Sequence, residues 1–269
     1  MKNLFLFLFL LVVFTSKAQD NRVSGLNSRQ FTKYWKVESE SPDYKVTFQG
    51  DTAEIVSPKG LTLWRKEKMS GKVTIEYDAY VVVESDGDRL SDLNCFWMAS
   101  DPQYPDNLWK REKWRSGIFL NCYSLQLYYL GYGGNHNSTT RFRRYDGDES
   151  GITNPKARPA ILKEYTDAGH LLKPNHWYHI KITNENNRVS YYIDGERLVD
   201  FRDAEPLREG WFGFRTTLSR TRITNFSYEC SSQEATAVPL QWIGETPRQD
   251  KAVSFGVPFD KGEVFPENK

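Results

Sequence analysis

An all-β sandwich is the fold this sequence predicts, and three observations predict it. From about Phe31 to Glu229 the chain runs as short β-branched and aromatic segments separated by turn residues, without the longer helical patterns that would alternate with strands in an α/β protein. Lys72 to Val83 alternates apolar and polar over most of its length, as a half-buried strand does. Arg188 to Gly195 closes on Asp-Gly, a pair suited to the tight turn of a β-hairpin.

In chain order, the first segment has Lys2, an apolar run from Leu4 to Phe14, and Ser16-Lys17-Ala18, which predicts a cleaved export signal over 1–18 and a mature start near Gln19. No cysteine follows that could carry a lipid, so export to the periplasm or beyond without membrane insertion is expected. Residues 19–232 form the β-domain. Within it, Lys72–Val83 is a strand, and His176–Ile182 another that turns Trp177, His179 and Lys181 to one face and Tyr178, Ile180 and Ile182 to the other. The Arg188–Gly195 hairpin follows, then two further strands at Gly210–Thr217 and Arg222–Glu229. From 233 to 269 the composition shifts to Pro, Gln, Glu and Lys, which predicts an extended tail.

The chain has 269 residues, ample for one buried core. Its 36 Lys and Arg nearly balance 35 Asp and Glu, which argues against a duplex nucleic acid or an anionic membrane as partner. Aromatic residues make up 14% of a chain with negative mean hydropathy, a combination that suits stacking on sugars and excludes a multi-span membrane protein. Cys95, Cys122 and Cys230 are odd in number, so at least one is unpaired. The bland reading is buried thiols or one disulfide, and their spacing fits no zinc motif.

The Trp177-Tyr-His strand, the Asp194-Gly195 hairpin, Gly210-x-x-Gly-Phe214 and Arg222-Ile-x-Asn-Phe226 resemble the last third of a concanavalin-like β-jelly-roll. Laminin-G-like binding domains, 3-keto-disaccharide hydrolase domains and several lyases share that pattern. The central third, with Phe96-Trp-Met-Ala-Ser-Asp-Pro102, Gly117-Ile-Phe119 and the long motif Leu127 to Gly147, resembles an uncharacterised jelly-roll domain of polysaccharide-degrading gene clusters. Its nearest described activity is an ulvan-oligosaccharide dehydratase. Val253 to Phe259 is similar to the opening strand of an exo-acting rhamnogalacturonan lyase domain, which also points to acidic plant or algal polysaccharides. The resemblance implies an acidic oligosaccharide substrate, no cofactor, and loss of water from a non-reducing terminal uronate to leave a 4,5-unsaturated sugar. A lyase with a sugar alkoxide as leaving group, a non-catalytic binding module and a carboxylate-pair hydrolase are the alternatives.

Tyr128 to Tyr145 packs four Tyr, one His, two Asn and three Arg around a Gly-Tyr-Gly-Gly turn, more donors and titratable groups than a turn needs for folding. A polar hairpin with solvated arginines is the competing explanation. Removal of the C5 proton of a uronate needs the adjacent carboxylate neutralised and the enediolate held by donors, and Arg, Asn and His supply both. His136 is the expected base, Tyr145 the acid with Tyr132 as its substitute, and Arg141 or Arg143 the carboxylate clamp. If Phe142 points into the core, Arg141, Arg143 and Tyr145 share the opposite face. Asn135 and Asn137 are expected to orient the ring or bind the sugar. Arg215 and His179 sit on strands that reach a groove, and Trp97, Trp109 and Trp114 are candidate stacking platforms. His170 and His176 read as solvated. Asp86-Gly-Asp88 with Asp92 lacks the ligand spacing of a helical calcium loop and reads as a solvated turn, with structural calcium the alternative and no catalytic metal expected.

Overall fold

A computed structural model describes residues 23–231. The 1–18 signal, the tail beyond 231 and the Val253–Phe259 segment lie outside them. Fourteen strands follow one another: β1 (Val23–Ser24), β2 (Trp35–Ser39), β3 (Lys45–Gln49), β4 (Thr52–Arg65), β5 (Met69–Ser70), β6 (Lys72–Val81), β7 (Leu93–Ser100), β8 (Gln126–Gly133), β9 (Thr139–Asp146), β10 (Lys163–Tyr165), β11 (Trp177–Glu185), β12 (Arg188–Ile193), β13 (Glu196–Arg202) and β14 (Glu209–Ser231). A helix, Ser28–Tyr34, occupies the first part of what the sequence suggested was strand; it is capped by Asn27, whose side chain accepts from the Gln30 N–H.

The strands form two faces of a jelly-roll sandwich that share β4 and β14. Sheet one runs β10-β9-β8-β7, then the first half of β14, the second half of β4 and β2; sheet two runs β13-β12-β11-β6, then the second half of β14, the first half of β4 and β3. All pairings are antiparallel. The two strands expected at Gly210–Thr217 and Arg222–Glu229 are thus one continuous strand. It changes sheets at Leu218, where φ is 48° and the register against β4 slips between Thr217 and Ser219. β6 and β11 alternate as their sequences require, and the β12–β13 turn is Asp194-Gly195, with φ of 50° and 83°.

Between the sheets lies the main core, built on residues such as Ile55, Leu63, Ile75, Tyr77, Leu130, Phe142, Ile180, Tyr191 and Phe212. A second cluster sits on the outer face of sheet one: Trp64, Phe96, Leu108, Tyr123, Leu127, Tyr145 and Trp211. The segment 101–125, three short helical turns at Leu108–Arg111, Glu112–Arg115 and Leu120–Ser124, covers that cluster. Strands roofed on both faces lose the period-2 alternation, which is why β7 and β8 read as nearly unbroken buried runs. Arg115, with no exposed surface, pins the cover by donating to Glu38 Oε1 and to the Leu108 carbonyl, both at 2.6 Å. Removing Glu38 would leave that buried charge with Asp101, 3.8 Å away, as its one carboxylate partner among the described residues.

All three cysteines are unpaired, Cys95 and Cys122 buried and Cys230 half-buried. Among the described residues no helix is long and apolar enough to cross a membrane.

Candidate functional site

Where the 101–125 cover ends, the outer face of sheet one opens as a cleft of ≈ 390 Å³. Strand alternation decides what faces it. Cys95, Leu130, Phe142 and Phe214 point into the main core, so their neighbours Asn94, Tyr129, Gly131, Arg141, Arg143 and Arg215 point the other way, into the cleft. A Cβ at Gly131 would fall 2.3 Å from the Tyr129 hydroxyl, so the missing side chain is what gives that hydroxyl its room. The Tyr129 hydroxyl lines the opening with no hydrogen-bond partner among the described residues, and burial pushes its phenol well above the usual range.

Arginines surround it. Arg215 is almost fully buried; it donates to the Gly117 carbonyl, lies 4.0 Å from Glu40 and sits 5.5 Å over the Phe119 ring. Gly60 is required beneath it, because a Cβ there would meet Glu40 Oε1 at 2.1 Å and Arg215 Nη2 at 2.5 Å. Arg143 donates to the Pro159 carbonyl and has no carboxylate partner among the described residues, whereas Arg141 pairs with Glu164 at 2.5 Å. Arg89 arrives from the β6–β7 loop and donates through Nη1 to Asp92 at 2.6 Å and to the Thr217 carbonyl at 3.0 Å. Asp92, itself at φ 63°, also accepts from Ser91 and from Asn94 Nδ2, while the Asn94 Oδ1 is buried without a partner. Four guanidinium groups therefore face two carboxylates, Asp92 and Glu40, in one cleft.

His136 enters on an unusual turn. Asn135, His136 and Asn137 follow one another at φ of 51°, 57° and 60°, a left-handed run that costs non-glycine residues roughly 1 kcal/mol or more each. Neighbouring hydrogen bonds hold it. Asn137 Oδ1 accepts from the Leu172 N–H at 2.8 Å and Asn137 Nδ2 donates to the Leu172 carbonyl at 2.9 Å; Ser138 Oγ donates to the Asn135 carbonyl at 2.7 Å. The turn delivers Asn135 and His136 to the cleft, where the Arg89 Nε–H faces His136 Nδ1 at 3.5 Å.

The cleft thus gathers His136, Asn135, Arg141, Arg143 and Arg215 from the residues the sequence singled out. The others lie elsewhere. Tyr145 does share the face of Arg141 and Arg143, but it sits under the 101–125 cover with no exposed surface and its hydroxyl has no partner, so it is packing. Tyr132 points to the main core and donates to the Leu171 carbonyl. Trp97 is a core residue stacked on Phe142. Asn137 bonds Leu172 through both ends of its amide and does not line the cleft. His179 projects from the outer face of sheet two, more than half exposed and bonded to Asp78 at 2.7 Å. Trp109 packs edge-on against Trp211, and Trp114 is exposed beside Arg111. Tyr129, Arg89, Asn94 and Glu40 are cleft residues that the sequence reading passed over, and Asp92, read there as part of a solvated turn, is nearly buried and lines the cleft too. For Tyr129 the signal was present: it is two residues from Gly131 and opposite in parity to Leu130.

Among the described residues no group of three or more His, Cys, Asp or Glu is arranged to hold a metal ion. Asp88 instead closes a turn, accepting from the Glu84 and Ser85 N–H groups at 2.9 and 3.0 Å.

Fold and site together define a jelly-roll sandwich with an arginine-rich cleft on the outer face of one sheet. The sequence model of one family, described as a domain of unknown function (DUF6250), matches residues 55–226, and the chain belongs to that family. No curated protein sequence matches it. Among solved structures, a Bacillus subtilis protein of unknown function with a galectin-like fold superposes with a TM-score of 0.62 at 16% identity, over 79% of this chain and 96% of that one. The exoplasmic/lumenal domain of VIP36 in its Ca²⁺/mannose-bound form gives 0.53 at 9% identity, over 81% and 93%. The carbohydrate recognition domain of Emp47p gives 0.50 at 14%, over 80% and 96%. These likenesses establish the galectin-like, jelly-roll fold.

Proposed function

We propose that the cleft binds the uronic acid end of an acidic oligosaccharide and catalyses β-elimination there, with water as the leaving group. The observation that carries the reading is the convergence of four arginines, His136 and the phenol of Tyr129 in one cleft. Galectin-like and lectin-type neighbours make a sugar ligand a natural occupant of this fold.

Arg143 and Arg89 neutralise the uronate carboxylate, which lowers the barrier to forming the enediolate. The Arg89 Nε–H marks His136 Nδ1 as the lone-pair nitrogen. When Arg89 turns that N–H to the substrate carboxylate, Nδ1 is left beside the carbon that bears it and takes the C5 proton. The C5–H electron pair forms the C4=C5 bond and the C4–O bond breaks. Tyr129 gives its proton to the departing hydroxide, Arg215 and Arg143 offsetting part of the cost that burial places on the phenolate, and solvent returns both groups to their starting states. Hydrolysis by a carboxylate pair is disfavoured because an arginine engages each cleft carboxylate, Asp92 through Arg89 and Glu40 through Arg215.

Steady-state absorbance of the conjugated alkene tests the roles. His136→Ala and Tyr129→Phe should each lower turnover roughly 10²–10⁴-fold in a folded protein. Arg143→Gln should raise KM and lower kcat together. Tyr145→Phe should leave turnover near wild type. Near-wild-type turnover in His136→Ala overturns the scheme. One observation favours a second reading, a sugar-binding module: both carboxylates of the cleft already have partners. On that reading the same variants change affinity and no alkene forms.

A further inference from the structure

The outer face of sheet two, across the main core from the cleft, carries a second concavity of ≈ 570 Å³. Side chains that alternate outward from β6, β11, β12 and β13 line it, among them the hydroxyl groups of Thr74, Thr183, Ser190 and Tyr192. Five cations surround these groups: Lys72, Lys181, Arg188, Arg197 and Arg202. Four strands spaced about 4.8 Å apart spread the cations over roughly 14 Å.

The arrangement is costly for the fold alone. Register places Arg188 directly opposite Arg202, and like charges at such a pair destabilise a sheet. Three arginines share one carboxylate, Asp200. Arg188 forks onto it with two bonds of 2.6 Å, Arg197 reaches it at 3.2 Å, and Arg202 has no ion pair of its own among the described residues. The Arg188 hydrogen bonds first, then the charges of all three, hold the Asp200 carboxyl below its usual range. Lys72 pairs with Glu185 at 2.9 Å and Lys181 with Glu76 at 3.2 Å. Three arginines against Asp200 leave two positive charges over at that end, whereas the lysine end is matched by Glu185 and Glu76, with Glu229 exposed nearby on β14 opposite Thr74. A ladder built only for stability would match signs across the strands.

We propose that this face is a second glycan site, which holds an acidic polysaccharide chain while the cleft acts on an end. Arg188, Arg197 and Arg202 seat one carboxylate or sulfate group, in the planar fork geometry that suits both, and Lys181 meets the next anion along the chain. Tyr192, Thr183 and Asn186 hydrogen-bond the sugar hydroxyls between them. The mixture of separated cations with hydroxyl and amide groups fits a sugar polymer. A duplex nucleic acid would need a broader positive field than a net charge of +1 provides. The choice of polymer rests on the function proposed above; the surplus of positive charge does not.

Calorimetric titration of the full chain tests the site. The probes are polygalacturonate for carboxylates, a sulfated galactan for sulfate esters, a neutral β-glucan and a DNA duplex. All are measured in an Arg143→Gln background, which removes the clamp of the cleft. The double substitution Arg197→Gln with Arg202→Gln should weaken one or both acidic polysaccharides at least tenfold and flatten the salt dependence, with no measurable β-glucan binding. The polymer that weakens identifies the anion. Both substituted side chains are exposed, and circular dichroism checks folding. Unchanged affinity in the double variant, no binding of either acidic polymer before substitution, or DNA binding as tight as the polysaccharide each overturns the second site. Product formation from short oligosaccharides reads the cleft separately, so failure of either proposal is recognisable without the other.

Discussion

Replacing Asn137 separates the strain in the His136 turn from the hydrogen bonds that hold it. The Asn137 amide makes two bonds to Leu172, at 2.8 and 2.9 Å, each contributing about 1 kcal/mol net. Its backbone sits at φ 60°, which costs an alanine about 1 kcal/mol more than it costs asparagine or glycine. Asn137→Ala should therefore lose about 3 kcal/mol and Asn137→Gly about 2 kcal/mol, glycine keeping the conformation while dropping the latch. Urea unfolding followed by tryptophan fluorescence, extrapolated linearly to water, measures both. The His136 imidazole resonances in nuclear magnetic resonance spectra should also broaden or split as the turn loses its anchor. A loss below about 1 kcal/mol in the alanine variant, or an alanine variant as stable as the glycine one, refutes the idea that Leu172 holds a strained turn in place.

Three further outcomes follow from other parts of the molecule. Gly131→Ala should abolish most activity while the protein stays folded, because the new methyl occupies the room of the Tyr129 hydroxyl; full activity with an unshifted circular dichroism spectrum would contradict that placement. Burial alone would raise the Asp203 carboxyl, but the Tyr128 hydroxyl at 2.6 Å, the Glu205 N–H at 2.9 Å and Arg144 at 2.8 Å outweigh it and hold it below the usual range. A depressed folded value means stabilisation that is complete above the unfolded carboxylate pKa and is lost as pH falls through the folded one. Asp203→Asn should thus be the less stable protein at pH 7, with the gap narrowing below about pH 4; a gap that widens in acid is the contrary result. Burial pushes the Cys95 thiol up to about 12 and the Cys122 thiol up to about 11, so a thiol-disulfide reagent at pH 8 should leave both unlabelled in the native protein and label both in denaturant. Rapid native labelling of either, read by peptide mass, would contradict their burial.

The parts of this fold legible in the sequence are those governed by neighbours in the chain. β6 and β11 alternate, and Asp194-Gly195 turns, because side-chain parity and backbone twist are local properties. Parity also puts Arg141, Arg143 and Tyr145 on one face opposite Phe142. It does not tell which part of that face another segment roofs, so Tyr145 falls under 101–125 while Arg141 and Arg143 remain open. In β7 and β8 burial on both faces removes the apolar–polar contrast that tells which parity faces the core, which is how Trp97 and Tyr132 read as groove residues; for Tyr129 its offset from Gly131 was the local signal left. Asn137 and Arg89 depend on partners 35 and 47 residues away, Leu172 and His136, which no local pattern reports. The single long β14 read as two strands because Leu218 breaks its register without ending it.

Mass spectrometry of uronate-terminated oligosaccharides incubated with the purified protein tests the central claim most directly. Elimination in the arginine-lined cleft predicts loss of one water from each substrate molecule without any shortening, a product that absorbs in the ultraviolet, and disappearance of that product in His136→Ala. Shortening with an unsaturated end would make the leaving group a sugar, and addition of water across a cleaved bond would make the protein a hydrolase. Unaltered masses alongside measurable binding would contradict catalysis and leave the cleft a sugar-binding site.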